Sequence, residues 1–241
     1  MFSFQQDSLS TILIYNKQVP FRGFSGKSWT FQVGRPESSF PALYLSSMNF
    51  KLVFLILCFQ TGFLLASGQH IELYNSSFEG EPRDATVPQG WMACKEGTTP
   101  DILPGYWGVY SEPSDGDTYV GLITRQNNTW ESIGQRLTAT LEKGTCYTWS
   151  LDLAHSDTYS GYNGPIKLRI WASKLKCQKD QLIYESPQIE HLDWQSYQFK
   201  FTPNSDYRYI LLEAFYSEKP FEYKGNILID RLRPIQSCDK T

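Results

Sequence analysis

No Cys-x-x-Cys pair occurs in the chain, so the usual spacings of a structural zinc site are excluded. No stretch is strongly basic either. Lys+Arg total 22 against Asp+Glu 25, a formal net charge of -3, and both signs are interspersed. That leaves no footprint for nucleic acid and no lysine-rich run for anionic lipid. Also missing are a Gly-x-Ser-x-Gly elbow, a His-Glu-x-x-His pair and a glycine-rich phosphate loop, which removes the enzyme classes built on them. His155, flanked by Asp152 and Asp157, and His191, near Asp193, have the proximity a general base needs. A lone histidine beside a loop carboxylate is more often a surface hydrogen bond, and no enzyme is expected. Carboxylates are plentiful, so a glycosidase pair stays open. Internal repeats, low-complexity tracts and ten-residue helical patterns are absent beyond residue 69.

What is present starts at the second methionine. Met48 opens a stretch with Lys51 as a positive n-region, Leu52 to Leu65 as an apolar h-region, and small residues at Ala66-Ser67-Gly68. This is the layout of a secretory signal peptide over 48–68, cleaved before Gln69. The run is short and interrupted by Gln60, Thr61 and Gly62, whereas a transmembrane helix needs about 20 apolar residues. Residues 1–47 show no sustained periodicity, and Met48 is the expected start, with 1–47 an upstream extension without a fold of its own. The protein is expected to be secreted or displayed on the cell surface, without membrane insertion after signal cleavage.

The remaining 69–241 have the length of one domain. Period-2 alternation recurs between turn residues. In Tyr147–Ala154, Tyr147, Trp149, Leu151 and Leu153 point one way, and Thr148, Ser150, Asp152 and Ala154 the other. Further strands are expected at 70–74, 118–125, 132–141, 166–171, 195–202, 209–216 and 226–232, with a short turn at 178–185. About eight strands punctuated by Gly, Pro and Asn define an all-β chain, an antiparallel jelly-roll β-sandwich. Cys94, Cys146, Cys177 and Cys238 form an even set suited to disulfides in an exported chain. If 147–154 and 166–171 form a hairpin around the 156–164 loop, Cys146 falls near Cys177. The pairing ranked first is then Cys146–Cys177 with Cys94–Cys238. Asn75-Ser-Ser77 and Asn127-Asn-Thr129 fit glycosylation acceptors.

Several short motifs then line up in order. Asn75-x-x-Phe78-Glu79 follows the first strand, Gly90-Trp91 comes next, and Gly121-Leu122 lies in a later strand. Ile133-Gly-Gln135-x-Leu137 and Leu141-x-x-Gly144-x-x-Tyr147-x-x-Ser150 follow. Trp194-x-x-Tyr197-x-Phe199-x-Phe201-x-Pro203 and Ile229-Asp230 close the series. This order resembles the galactose-binding-like jelly roll of carbohydrate-binding module families four, nine and twenty-two, over nearly the whole of 69–241. The resemblance implies a non-catalytic sugar-binding module. It also implies a structural calcium near the two ends of the domain, with Glu79 and Asp230 at the matching positions and oxygen donors of the right kind. Two carboxylates alone fall well short of a coordination shell, and Asp115 and Asp117 are first of all a turn.

Strand geometry indicates where a ligand would bind. With the apolar faces inward, Arg125, Asp152, Arg169, Trp171 and Glu213 point outward, and share a face if their strands share a sheet. Planar polar groups beside an indole suit a sugar ring; ordinary cross-strand ion pairs are the alternative. A second surface is formed by loop aromatics: Tyr106, Trp107, Tyr110, Trp130, Tyr159 and Tyr162, which either bind on loops or cap the core. The expected partner is a polysaccharide or glycan. The competing reading is a structural or adhesive envelope protein that binds protein partners.

Overall fold

In the computed structural model, residues 70–216 and 223–238 are described; they belong to one unit, residues 63–241. The expected signal peptide and residues 1–47 lie outside the described residues. Fourteen strands form: β1 (His70–Ile71), β2 (Met92–Ala93), β3 (Asp101–Leu103), β4 (Tyr119–Arg125), β5 (Thr129–Trp130), β6 (Ser132–Leu141) and β7 (Tyr147–Ala154), then β8 (Gly164–Pro165), β9 (Lys167–Ser173), β10 (Gln181–Glu185), β11 (Gln195–Phe201), β12 (Tyr207–Phe215), β13 (Gly225–Asp230) and β14 (Ile235–Ser237). The eight expected strands are all there. The six additional ones are two to five residues long, too short for alternation to register, and β10 occupies the span read as a turn.

Two sheets face each other. The first runs β1-β14-β7-β13-β4-β3, with β11 also on β7, β5 on β4 and a short parallel pairing of β8 to β13; the second runs β10-β9-β12-β6-β2. Alternation decides what lies between them. Tyr147, Trp149, Leu151 and Leu153 of β7, and Val120 and Leu122 of β4, face Leu168, Ile170, Ile210, Leu212 and Ala214 across the core. Each is buried, and burying such a side chain contributes about 1.5–3 kcal/mol.

The outer face of the first sheet is not solvated. Leu103, Tyr119, Ile123, Ala154 and Leu228 form a second cluster there with Val109 and Tyr159, supplied by the loops that cross it. Gly121 permits this layer, because a Cβ at that position would lie 2.8 Å from the Tyr159 hydroxyl. Tyr159 is thus part of a core, at 2% exposure, and not an open loop aromatic.

Two expectations about neighbours fail for one reason: β7 and β9 lie in different sheets. The 156–164 segment therefore crosses between layers and does not close a hairpin. Cys146 stands beside β14, whose Gln236 and Ser237 pair with Thr148 and Tyr147, and bonds Cys238. Cys94 bonds Cys177. The expected pairing Cys146–Cys177 with Cys94–Cys238 is corrected accordingly. For the same reason Arg125 and Asp152 sit in the first sheet, while Arg169, Trp171 and Glu213 sit in the second.

Candidate functional site

On the outer face of the second sheet, antiparallel register places Trp171 beside Leu211 and Arg169 beside Glu213. Glu213 is 1% exposed. Its carboxylate accepts the indole N–H of Trp171 at 2.7 Å, that of Trp130, and the Lys179 ammonium. Trp130 reaches it from β5, just before the chain passes at Glu131 from one sheet to the other. Lys95 Nζ lies 3.0 Å from the Trp130 ring centroid. Burial lowers the pKa of that ammonium, and neighbouring Lys179 lowers it further. Arg169 stacks on Phe215 at 3.3 Å and pairs with Glu185. The Cys94–Cys177 bridge lies over the same face, with Cys94 Sγ only 2.8 Å from where a Gly134 Cβ would be. Trp130, Trp171 and Glu213 thus come together as a closed polar cluster.

Arg125 is elsewhere, paired at 2.5 Å with Glu131, a fully buried carboxylate that also accepts the Thr99 and Ile123 N–H groups. Burial raises the pKa of Glu131, against the pull of those partners. Asp152 is separate again, accepting from Ser114, Ser196 and Arg233. Burial pushes Asp152 up, but these three partners outweigh it and hold the carboxyl below its ordinary range.

The two carboxylates assigned to calcium by resemblance hold a turn. Asp230 accepts the N–H groups of Ser114, Asp115 and Arg231, and Glu79 accepts that of Asp117 through both oxygens. Gly116 is required between them: its φ is +66°, and a Cβ would sit 1.9 Å from Glu79 Oε1. Both carboxylates are thus already engaged by N–H donors, and among the described residues no group of three His, Cys, Asp or Glu side chains suited to a metal occurs. Two side chains on their own are short of a calcium shell. Burial pushes Asp230 up to about 7.

The loop aromatics are more open. Tyr110 is 71% exposed and Trp107 48%, with the Trp107 indole anchored on Asp101 at 3.3 Å. Tyr162 is half-buried against the second cluster. Beside Tyr110 a cavity of about 160 Å³ is lined by Ser111, His155, Ser156, Asp157, Thr158 and Leu192. Its wall is held from below: Asn226 on β13 accepts the Ser156 N–H and donates to the carbonyls of Ser156 and Tyr162. Thr158 Oγ1 donates to the Gly108 carbonyl, tying the wall to the aromatic loop. The histidines hold loops as well: His155 meets the Asn163 carbonyl, and His191 meets the Asp193 carbonyl and the Tyr197 hydroxyl. Ser111, Ser156, Thr158 and Asn226 were not singled out from sequence. Only Asn226 left a trace, as a lone polar residue opening an apolar run, since a buried amide requires partners.

These features define a jelly-roll sandwich whose loop layer over the first sheet carries an open, hydroxyl-lined cavity. Solved structures with a similar fold include a cyclase from Fischerella sp. TAU, 17% identical with a TM-score of 0.50 over 73% of this chain and 100% of that one. An apo-form cyclase from Fischerella sp. is 15% identical, with the same TM-score and coverage. The CBM22-1 xylan-binding domain of Paenibacillus barcinonensis Xyn10C is 16% identical with a TM-score of 0.47, over 72% of this chain and 97% of that domain. At these identities the likeness to the two cyclases is one of fold. No protein-family model and no curated protein matches the chain.

Proposed function

We propose that the domain is an exported, non-catalytic carbohydrate-binding module that takes a sugar residue in the loop cavity beside Tyr110. The observation that carries this reading is the lining: three hydroxyls, a carboxylate and an imidazole around an opening rimmed by an exposed phenol. Hydroxyl and carboxylate side chains can bond paired sugar hydroxyls, while a phenol ring covers an apolar C–H patch. Export agrees with two disulfides, which form in oxidising compartments. In the competing placement, sugar binds the second sheet's outer face near Arg169 and Trp171.

A glycan array with the purified protein, followed by titration of the best ligand, tests the reading. Tyr110→Ala and Asp157→Ala are expected to weaken binding at least about tenfold with the melting temperature unchanged, the loss of one good contact. If Trp171→Ala and Arg169→Ala remove binding and the cavity variants do not, the site is on the sheet. Binding to no glycan, with capture of a protein partner, would replace this reading with the adhesive one.

A further inference from the structure

The two glycosylation triplets stand in opposite surroundings. Asn75 lies in the turn after the first strand with φ of +49°, and its side chain is fully employed. Nδ2 donates to the Glu79 and Gln89 carbonyls at 3.0 and 3.1 Å, and Oδ1 accepts the Glu79 N–H at 2.7 Å. The same turn receives the Trp91 indole N–H on the Asn75 carbonyl and packs Phe78, fully buried, against the Trp91 ring. A glycan on Nδ2 removes one of the two amide protons. One of those carbonyl bonds is lost, and a bulky substituent enters a turn that closes on the core.

Asn127 lies at the tip between β4 and β5. It and Asn128 are exposed, and Asn128 supplies a φ of +58° that makes the tip turn sharply. Thr129 Oγ1 donates to Asn127 Oδ1 at 2.6 Å, so the hydroxyl of the triplet already sits on the acceptor amide. Among the described residues Asn127 Nδ2 makes no hydrogen bond.

We propose that Asn127 is the N-glycan acceptor of this protein and that Asn75 stays bare. The reaction is transfer of an oligosaccharide from a lipid-linked diphosphate donor by the secretory pathway's transferase. The Nδ2–C1 bond forms as the C1–O bond to the diphosphate breaks, and one amide proton is given up as the lipid diphosphate leaves. Asn127 is not among the residues lining the cavity, so the inference is independent of the sugar-binding reading.

The test is secretion of the full chain from cultured insect or human cells, followed by enzymatic deglycosylation in heavy-oxygen water and peptide mapping. Deglycosylation converts a modified Asn to a heavy-labelled Asp. Label at Asn127, with Asn75 unlabelled in the same protein, is the expected result, and it needs no variant to fold. Thr129→Ala and Asn127→Gln should each remove the whole deglycosylation-dependent mobility shift, whereas Ser77→Ala should leave it intact. Label at Asn75, or a secreted protein with no label at either position, would overturn the assignment.

Discussion

Removing the Glu213 carboxylate tests whether the cluster on the second sheet holds the fold together. In Glu213→Ala the indole N–H groups of Trp130 and Trp171 both lose their acceptor. Each buried donor left unpaired costs about 1–3 kcal/mol. Lys179 adds little, because at 36% exposure it can return to water. Two such donors give about 2–6 kcal/mol, centred on the roughly 3–5 kcal/mol usual for deleting one partner of a buried ionic network, and that narrower range is the expectation. For a domain near 170 residues, each kcal/mol moves the melting temperature by about 2–4 °C, so a fall of about 6–20 °C is expected. Urea unfolding followed by tryptophan fluorescence reads the loss as a shift in midpoint at constant slope. Glu213→Gln keeps the shape and one acceptor oxygen and should fall between wild type and alanine. Lys179→Met leaves the buried carboxylate its two indole donors but removes its closest cation, so it should cost less than Glu213→Ala yet more than an exposed pair would. A loss below about 1 kcal/mol for Glu213→Ala would show that the indoles find water and that the carboxylate behaves as a surface group.

Burial holds Asp230 near 7 in the folded protein, above its unfolded value of about 3.9. The folded state then binds the extra proton between those values, so this group makes stability fall as pH rises from about 4 to 7. Asp230→Asn should abolish that component, read as the difference between the two urea-midpoint profiles; parallel profiles would refute it. Calcium and chelator should leave the melting temperature unchanged, because Glu79 and Asp230 are occupied by N–H donors. A calcium-dependent rise that Glu79→Ala removes would restore the ion. Non-reducing peptide mapping should yield Cys94–Cys177 and Cys146–Cys238, and a Cys146–Cys177 peptide would contradict the two-sheet placement of β7 and β9.

Strand faces were legible because alternation records which way each side chain points. Alternation puts Tyr147, Trp149, Leu151 and Leu153 on one face, and all four are buried in the main core. Partners were not legible, because a period of two says nothing about which strand lies alongside. Arg125 and Arg169 have the same local pattern and end in different sheets. One clue was present: β4 carries Tyr119 and Ile123 opposite Val120 and Leu122, and apolar residues on both faces mark a strand covered on both sides. The cavity was beyond reach for another reason. Its walls come from positions 110–111, 155–158 and 192, brought together only by the packing of loops over the first sheet. Tyr159 and Tyr162 look alike in sequence, yet one fills a core and the other is half-exposed.

The loop layer over the first sheet divides its labour in a way that bears on adaptation. Asn226, Tyr159 and Asp101 anchor the layer from within, while Tyr110 and Leu192 stand largely in solvent at its rim. A ligand meeting such a rim has little loop disorder to freeze out, and affinity rises when ordering has been completed before binding. Exchange of rim residues alters what is recognised while leaving the anchors, and hence folding, nearly untouched. Recognition can therefore drift quickly on a scaffold that does not have to change.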